Sequence, residues 1–315
     1  MKDRPNSTIS FAVRSRFAPT PSGSLHLGNA RTFLANWILV KQAGGELMLR
    51  IDDIDAPRVI EGADVAACED LRWLGLTWDG PAVYQSANTD AHQAAIAQLD
   101  NAGLLYRDQR QRRDLITAAA GQTALDHAPL DAGLHRAQTF DPAGPAPNLR
   151  FAIPDDPIEF HDAFVGHVRL DPRTELGDFI IRRRDGSPSY QLACVVDDHN
   201  AGINHIVRGD DLLASTGRQL TIHRALDLDP PTFTHLPLIV GRDGDKLSKR
   251  HGDQCLAAYQ DNGIAAERVV ALLGRWLGMD VGDEADAASL VERFELARVP
   301  REPIVFDEAN DPLLR

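Results

Sequence analysis

The 315-residue sequence contains few cysteines, no long hydrophobic run and no excess of positive charge. Its three cysteines, Cys68, Cys194 and Cys255, lie far apart and form no Cys-x-x-Cys pair, which argues against a zinc knuckle or a disulfide framework. No stretch approaches the roughly 20 apolar residues that span a bilayer, and the N-terminus lacks the apolar segment of a signal peptide. We therefore expect a cytoplasmic protein that does not associate with membranes.

The charge balance is acidic, with 33 Lys and Arg against 46 Asp and Glu and a formal net charge of −13 at pH 7. Proteins that coat nucleic acid without discrimination are usually basic, so the composition argues against broad non-specific binding. Local basic clusters either contact a phosphate backbone or form solvated helix faces. They comprise Arg107, Arg110, Arg112 and Arg113, and then Arg182, Arg183 and Arg184.

Alternating strand and helix patterns predict an α/β fold. Residues 9–17 and 46–51 are predicted strands, and residues 29–42 and 61–74 are predicted helices, which is the spacing of parallel-sheet units with crossover helices. A less regular region follows. The apolar run at 190–196 is then interpreted as a strand, where the parallel sheet resumes.

A His-x-Gly turn, formed by His26 and Gly28, comes directly before the first predicted helix. Glycine lets a backbone approach a phosphate closely, and the start of a helix offers unpaired N–H groups and the positive end of the helix dipole. The imidazole of His26 can donate a hydrogen bond to phosphate oxygens as charge develops during adenylyl transfer. The alternative interpretation is an ordinary polar turn.

A loop about 220 residues later carries Lys246, Ser248 and Lys249 behind a Gly- and Asp-rich stretch. A loop of this composition can close over a bound triphosphate, whose charge the lysines would neutralise. Without the first motif, a solvated surface turn is the better interpretation. In this order along the chain, the two motifs predict a nucleoside triphosphate held between them.

Together the two motifs resemble the HIGH and KMSKS signatures of class I aminoacyl-tRNA synthetases. Five segments resemble glutamyl-tRNA synthetases more closely: 16–23, 49–55, 195–199, 206–209 and 246–252. The resemblance runs from about residue 14 to residues 298–307. A chain of this length, without the anticodon-binding domains of full-length enzymes, resembles the glutamyl-Q tRNA(Asp) synthetases. These truncated paralogues attach glutamate to the queuosine base of tRNA(Asp), not to a tRNA 3′ end.

The resemblance implies a Rossmann-like class I catalytic domain with an inserted α+β subdomain, similar to an acceptor-binding domain, and a short helical stem-contact segment. The implied divisions are 1–80 and 189–253 for the two halves of the catalytic domain, 81–188 for the insertion, and 254–315 for the helical tail. No anticodon-binding domain is expected.

The resemblance also implies a ligase that activates L-glutamate with ATP and passes the acyl group to tRNA, with tRNA(Asp) as the expected partner. Arg16 and Arg208 would pair with the γ-carboxylate, since guanidinium groups bind carboxylates in bidentate fashion. Thr20 and Tyr190 would hydrogen-bond the amino acid, and Asp52, where glutamyl enzymes usually have Glu, would hold its ammonium group. The catalytic residues would be His26, Lys246 and Lys249. The ATP site would comprise Pro19, His26, Gly28, Asn29, Lys246, Ser248 and Lys249.

Magnesium is expected to arrive with ATP, held largely by phosphates and water. Asp197 and Asp198 would either contact it or have a structural role. Many glutamyl-Q enzymes carry zinc in the insertion, but residues 105–109 contain no cysteine and His135 alone cannot form a four-ligand site, so we expect no zinc. Two alternatives stay open: a short glutamyl-tRNA synthetase that charges a tRNA 3′ end, and an inactive paralogue that binds glutamate, ATP or RNA.

Overall fold

The computed structural model describes residues 12–110, 112–119, 122–131, 133, 136, 141, 144–247, 255–307 and 313. Ser248 and Lys249 therefore lie outside the described residues, and so does His135.

The described chain contains both helices and strands, which alternate most regularly in its first third. The helices are α1 Leu27–Gln42, α2 Ala63–Trp73, α3 Thr89–Asn101, α4 Arg112–Ala118, α5 Tyr190–Asn200, α6 Leu213–Ala225, α7 Leu256–Asp261 and α8 Ala266–Trp276. The strands are β1 Arg14–Phe17, β2 Glu46–Ile51, β3 Val83–Tyr84, β4 Leu105–Asp108, β5 Asn148–Phe151, β6 Ile158–Asp162, β7 Gly166–Leu170, β8 Phe179–Arg182, β9 His205–Gly209, β10 Thr232–Leu236, β11 Ile239–Val240 and β12 Ile304–Val305. Short 3-10 helices include Ala56–Arg58, Gln85–Asn88 and Asp210–Leu212.

Parallel strands at the centre of the molecule position the site. Strand β2 pairs in parallel with β1 and β3, and β9 pairs in parallel with β10. The two groups adjoin, because the N–H of Asn204, just before β9, donates to the carbonyl of Arg14 at 3.0 Å. The carboxyl ends of β1, β2 and β9 therefore meet at one edge, which is where open α/β sheets bind ligands.

The predicted strand at residues 190–196 is wrong, because this segment begins helix α5. Ser189 precedes the helix, and its hydroxyl accepts a hydrogen bond from the N–H of Leu192 at 3.4 Å. A short apolar run is compatible with either a buried strand or a buried helix, and the serine cap was the signal that separates them here.

The region between β3 and α5 has a different architecture. Strands β4, β5 and β8 form an antiparallel sheet, and β6 and β7 form an antiparallel pair. Strand β6 also joins β10 in parallel, at Asp162 opposite Phe233. This pairing places Asp162 next to the central strands. The division of the chain at residues 81 and 188 stays a prediction.

The described residues form two large hydrophobic clusters and a small third one. One packs α1 and β2 against α8 and includes Leu34, Leu49 and Leu273. The other joins the antiparallel sheet to α5 and includes Phe151 and Leu192. Within the described part of the chain, no helix is both long and apolar enough to cross a membrane.

Candidate active site

A cavity of about 590 Å³ opens at the carboxyl edge of the central strands. This volume is within the usual range for small-ligand sites. Most of the residues predicted for the site line it: Arg16, Thr20, His26, Gly28, Asn29, Asp52, Tyr190, Arg208 and Lys246. Pro19 does not line the cavity, but its carbonyl accepts the N–H of Asp52 at 3.0 Å. Ser248 and Lys249, which lie outside the described residues, are not placed.

A buried cluster of charges, which we call the floor, comprises Arg16, Asp52 and Arg208, which line the cavity, and Arg50 and Asp198, which contact Asp52 and Arg16 without lining it. Asp198, on α5, accepts hydrogen bonds from Arg16 Nε at 3.0 Å and from Arg50 Nη1 through the same oxygen, Oδ1. Burial raises the pKa of Asp198, but the two guanidinium groups outweigh it and hold that pKa below the usual value. Asp198 is therefore an anion that fixes two arginines.

Asp52 follows β2 and is held by the same arginine. Arg50 Nε donates to Asp52 Oδ1 at 2.7 Å, and the Asp52 side chain is only 7% exposed. Burial raises the pKa of Asp52, and Arg50 offsets this only in part. A ligand cation beside Asp52 would stabilise its ionised form, which suits the binding of an ammonium group.

Arg208, near the end of β9, is buried and has no acidic hydrogen-bond partner within the described ranges. Its Nε donates to Nε2 of His235 at 3.1 Å, and its Nη2 donates to Thr216 and Gln219. Its Nη1 has no hydrogen-bond partner among the described residues. Burial lowers the pKa of Arg208, as expected for a cation without a paired anion.

Tyr190 and Thr20 line the cavity at different depths. Tyr190 is the first residue of α5 and is partly buried, and burial raises the pKa of its hydroxyl. The hydroxyl is therefore protonated at neutral pH and can donate. Thr20 is exposed, near the opening.

The His-x-Gly turn begins α1. His26 is the N-cap residue, and its Nδ1 accepts a hydrogen bond from the N–H of Asn29 at 3.3 Å. In the neutral ring this assigns the proton to Nε2, which leaves that atom as a donor. A Cβ on Gly28 would lie 3.1 Å from Nδ1 and Cε1 of His26, so the glycine makes room for the imidazole.

The turn is anchored to the segment that follows the predicted lysine loop. The N–H of Leu256 donates to the carbonyl of Leu25 at 2.7 Å. On α2, buried Asp70 accepts from Ser24 Oγ, from the N–H of Leu25 and from Gln260 Nε2, at 2.8 to 2.9 Å. These contacts hold the turn and α7 together, and no sequence pattern pointed to Asp70.

Exposed ion pairs lie at the mouth of the cavity. Lys246 Nζ lies 2.6 Å from Asp211 Oδ2, with side chains 46% and 31% exposed. Asp55 contacts both Arg58 and Arg183 at about 3.5 Å. All five residues line the cavity. The mouth is thus charged and open to solvent, whereas the floor is charged and buried.

Asp197 and Asp198 have structural roles in this arrangement. Asp197 accepts from Gln85 Nε2, Asn88 Nδ2 and His92 Nε2, at 2.8 to 3.0 Å, and Asp198 holds Arg16 and Arg50. Neither aspartate is among the residues lining the cavity. Across the described ranges, no group of three or more His, Cys, Asp or Glu side chains is arranged to hold a metal ion. The absence of zinc stays a prediction.

Comparisons with known proteins place these observations in a family. Residues 12–309 match the family described as class I tRNA synthetases (E and Q), catalytic domain. A glutamyl-Q tRNA(Asp) synthetase of Symbiobacterium thermophilum is 43% identical over 305 residues, which cover 92% of this chain and 94% of that protein. A glutamate–tRNA ligase of Dichelobacter nodosus is 38% identical over 93% of this chain but only 63% of its own length.

Solved structures agree on the fold. The crystal structure of a glutamate–tRNA ligase from Elizabethkingia meningosepticum, in complex with its amino acid, matches with a TM-score of 0.79 and 27% identity. The match covers 94% of this chain and 67% of that one. A glutamate–tRNA synthetase of Elizabethkingia anophelis matches with a TM-score of 0.80 and 26% identity, over 95% and 69% of the two chains. The predicted α/β synthetase fold is confirmed.

Proposed function

The chain belongs to the family of class I tRNA synthetases for glutamate and glutamine, and from this membership we propose that it activates L-glutamate with ATP and transfers the glutamyl group to the queuosine base of tRNA(Asp).

The observation that supports glutamate as the amino acid is the arrangement of charged side chains at the cavity floor. The floor holds three guanidinium groups, from Arg16, Arg50 and Arg208, and two carboxylates, from Asp52 and Asp198, which pair with Arg16 and Arg50. Arg208 is the guanidinium group of the floor without a carboxylate partner among the described residues, and the side-chain carboxylate of glutamate would supply one. The ammonium group of glutamate would pair with Asp52 and its side-chain carboxylate with Arg16 and Arg208.

Arg208 also favours glutamate over glutamine. Its hydrogen-bonded partners His235, Thr216 and Gln219 are uncharged acceptors, and Nη1 has no partner in the part of the chain that the structure describes. A carboxylate would supply both the missing acceptor and the missing negative charge, whereas a neutral amide would supply only the acceptor.

The proposed ATP site lies at the start of α1. The positive end of the α1 helix dipole favours phosphate there, and His26 and Lys246 line the same cavity. Gly28 and Asn29 belong to this turn, and the Pro19 carbonyl accepts the N–H of Asp52. Ser248 and Lys249 are proposed to complete the ATP site. Magnesium would be bound mainly by ATP phosphates and water, and would neutralise phosphate charge.

The proposed reaction has two steps. A carboxylate oxygen of glutamate forms a bond to the α-phosphorus of ATP, the bond to the bridging oxygen breaks, and pyrophosphate leaves with the electron pair. A tRNA hydroxyl then attacks the acyl carbon, AMP leaves, and the hydroxyl proton is released. No protein nucleophile is required, so the rate depends on positioning and on stabilising charge, for which His26, Lys246 and Lys249 are the proposed groups.

The similarity to the Symbiobacterium protein supports tRNA(Asp) as the acceptor, since it is the more similar of the two relatives and matches almost end to end. The identity of 38% to a glutamate–tRNA ligase supports a second candidate, the charging of a tRNA 3′ end. The chain spans less than two thirds of that ligase.

The acceptor can be tested with radiolabelled glutamate and two preparations of tRNA(Asp), one with and one without queuosine. We expect labelling of the queuosine-containing tRNA alone. Labelling of both preparations at the terminal adenosine would establish the second candidate instead. An inactive paralogue would label neither and would also fail to exchange pyrophosphate with ATP.

A further inference from the structure

We propose that His235, held by Asp162, is a positioning residue that aims the guanidinium group of Arg208 at the side-chain carboxylate of the amino acid. This assignment rests on the proposed function and names a determinant of its specificity. The three residues form a buried hydrogen-bond network. Asp162 Oδ2 lies 2.7 Å from Nδ1 of His235, and Nε2 of His235 lies 3.1 Å from Nε of Arg208.

Asp162 is held in position by backbone N–H groups as well as by His235. Its Oδ1 accepts the N–H groups of Phe164 and Val165 at 2.9 and 2.8 Å, and its carboxylate also accepts the N–H of His235. Burial raises the pKa of Asp162, but the hydrogen bonds from His235 and these backbone groups outweigh it, and the net shift is downward. Asp162 is therefore an ionised acceptor in a fixed position.

An ionised Asp162 determines which ring nitrogen of His235 carries the proton. Asp162 can only accept, so Nδ1 of His235 must be the donor, and in the neutral ring Nε2 is then the acceptor. Arg208 Nε–H points to this acceptor. A hydrogen bond with a charged partner is stronger and more directional than a neutral one, so it can fix the plane of the guanidinium group.

The surroundings of His235 require it to stay neutral. Its side chain is completely buried, with Arg208 on β9, Asp162 on β6, Thr216 on α6 and Asp211 just before that helix as its polar neighbours. Burial lowers the pKa of His235, and Asp162 compensates only in part. A second proton would place an N–H donor against the N–H of Arg208 and add a positive charge beside it.

The hydrogen bonds from Asp162 through His235 to Arg208 connect two parts of the molecule. Asp162 ends β6, whose other partner β7 lies within the region predicted as an insertion, while His235 and Arg208 lie on the central strands β10 and β9. Arg208, which is proposed to select the amino acid, is thus oriented through Asp162 by the region predicted as an insertion.

The experiment compares His235→Ala and His235→Gln with wild type in glutamate-dependent ATP–pyrophosphate exchange. Loss of a hydrogen bond to a charged group is expected to raise the KM for glutamate at least about tenfold in His235→Ala, with the KM for ATP within about twofold of wild type. His235→Gln keeps an acceptor oxygen and is expected to recover most of the loss.

His92→Ala is the matched control. His92 is also buried and paired with an aspartate, Asp197 at 2.8 Å, but it does not contact Arg208. Equal changes in the two alanine variants, or equal changes in the KM for glutamate and for ATP, would overturn the assignment. If His235→Ala fails to fold, the KM values of His235→Gln and its pH profile test the proposal instead.

The pH profile supplies a measurement that a merely structural role would not change. In wild type, the KM for glutamate is expected to rise as acid protonates His235, and Asp52 contributes to the same trend. His235→Gln keeps Asp52, so a flatter profile isolates the histidine, and an unchanged profile would contradict the proposal. Wild-type protein without glutamate-dependent exchange would overturn the proposed function and this assignment with it.

Discussion

The floor and the mouth of the cavity use the same side-chain types in opposite ways. At the floor, one carboxylate, Asp198, holds Arg16 and Arg50, and all three side chains are at most 6% exposed. At the mouth, one carboxylate, Asp55, holds Arg58 and Arg183, and all three are at least 30% exposed.

The difference in burial determines what each cluster can do. Buried charges are held in place because removing one partner leaves the others unpaired in a medium of low dielectric. Exposed charges are screened by water and can exchange partners at little cost. The floor is thus suited to select a small charged ligand of fixed shape, and the mouth to admit and release one with several phosphates.

The largest expected effect concerns stability. Asp198→Asn leaves Arg16 and Arg50 without their shared anion, and we expect the free energy of unfolding to fall by about 3–5 kcal/mol. Asp55→Asn makes the same chemical change at the mouth, where we expect a loss below about 1 kcal/mol. Urea-induced unfolding measures both. Equal losses would show that burial does not separate the two clusters.

A substitution of His26 tests the catalytic role proposed for the start of α1. His26→Ala removes a donor proposed to act on the phosphates in the transition state, and we expect glutamate-dependent pyrophosphate exchange to slow by about 10²-fold. The KM for glutamate should change little, because the floor is intact. A rate near wild type would remove His26 from the catalytic residues.

Gly28→Ala is expected to have a smaller effect at the same place. Its methyl group would lie 3.1 Å from the ring of His26, so the imidazole must move by a few tenths of an ångström. We expect exchange to slow by about tenfold, because displacement weakens the hydrogen bond without removing the donor. Gly282→Ala is the control, since nothing lies within 4 Å of its Cβ position. Equal rates for the two variants would contradict the steric argument.

The smallest expected effect concerns the exposed pair of Lys246 and Asp211. Asp211→Asn removes the carboxylate that competes with ATP for Lys246, and an exposed ion pair contributes up to about 1 kcal/mol. We therefore expect the KM for ATP to fall by up to about fivefold, while the KM for glutamate stays the same. A higher KM for ATP would mean that Asp211 helps to place the lysine.

Regular elements with clear boundaries could be predicted from the sequence. The strand at 46–51 is observed where the apolar pattern and flanking turns predict it. Helix α1 begins two residues before its predicted start, because His26 itself caps it. Segment 190–196 was misassigned because its apolar run matches a buried strand as well as a helix.

Nine of the residues that line the cavity could be predicted from the motifs and the family resemblance, but the residues that support them could not. Arg50 lies inside an apolar strand, and a buried charge in such a place requires a partner, yet nothing in the sequence says that the partner is Asp198, 148 residues later. His235 and Asp162 likewise meet only because β6 pairs with β10. Such long-range pairings follow from the topology and have no local signal.

Amino-acid-dependent ATP–pyrophosphate exchange, run with all twenty amino acids in the presence and absence of tRNA, tests most directly whether the charged floor selects the substrate. We predict that glutamate supports exchange and glutamine does not, and that Arg208→Ala reduces the use of glutamate far more than the use of ATP. Exchange with glutamine equal to that with glutamate, or an Arg208→Ala variant that still discriminates between them, would contradict the account.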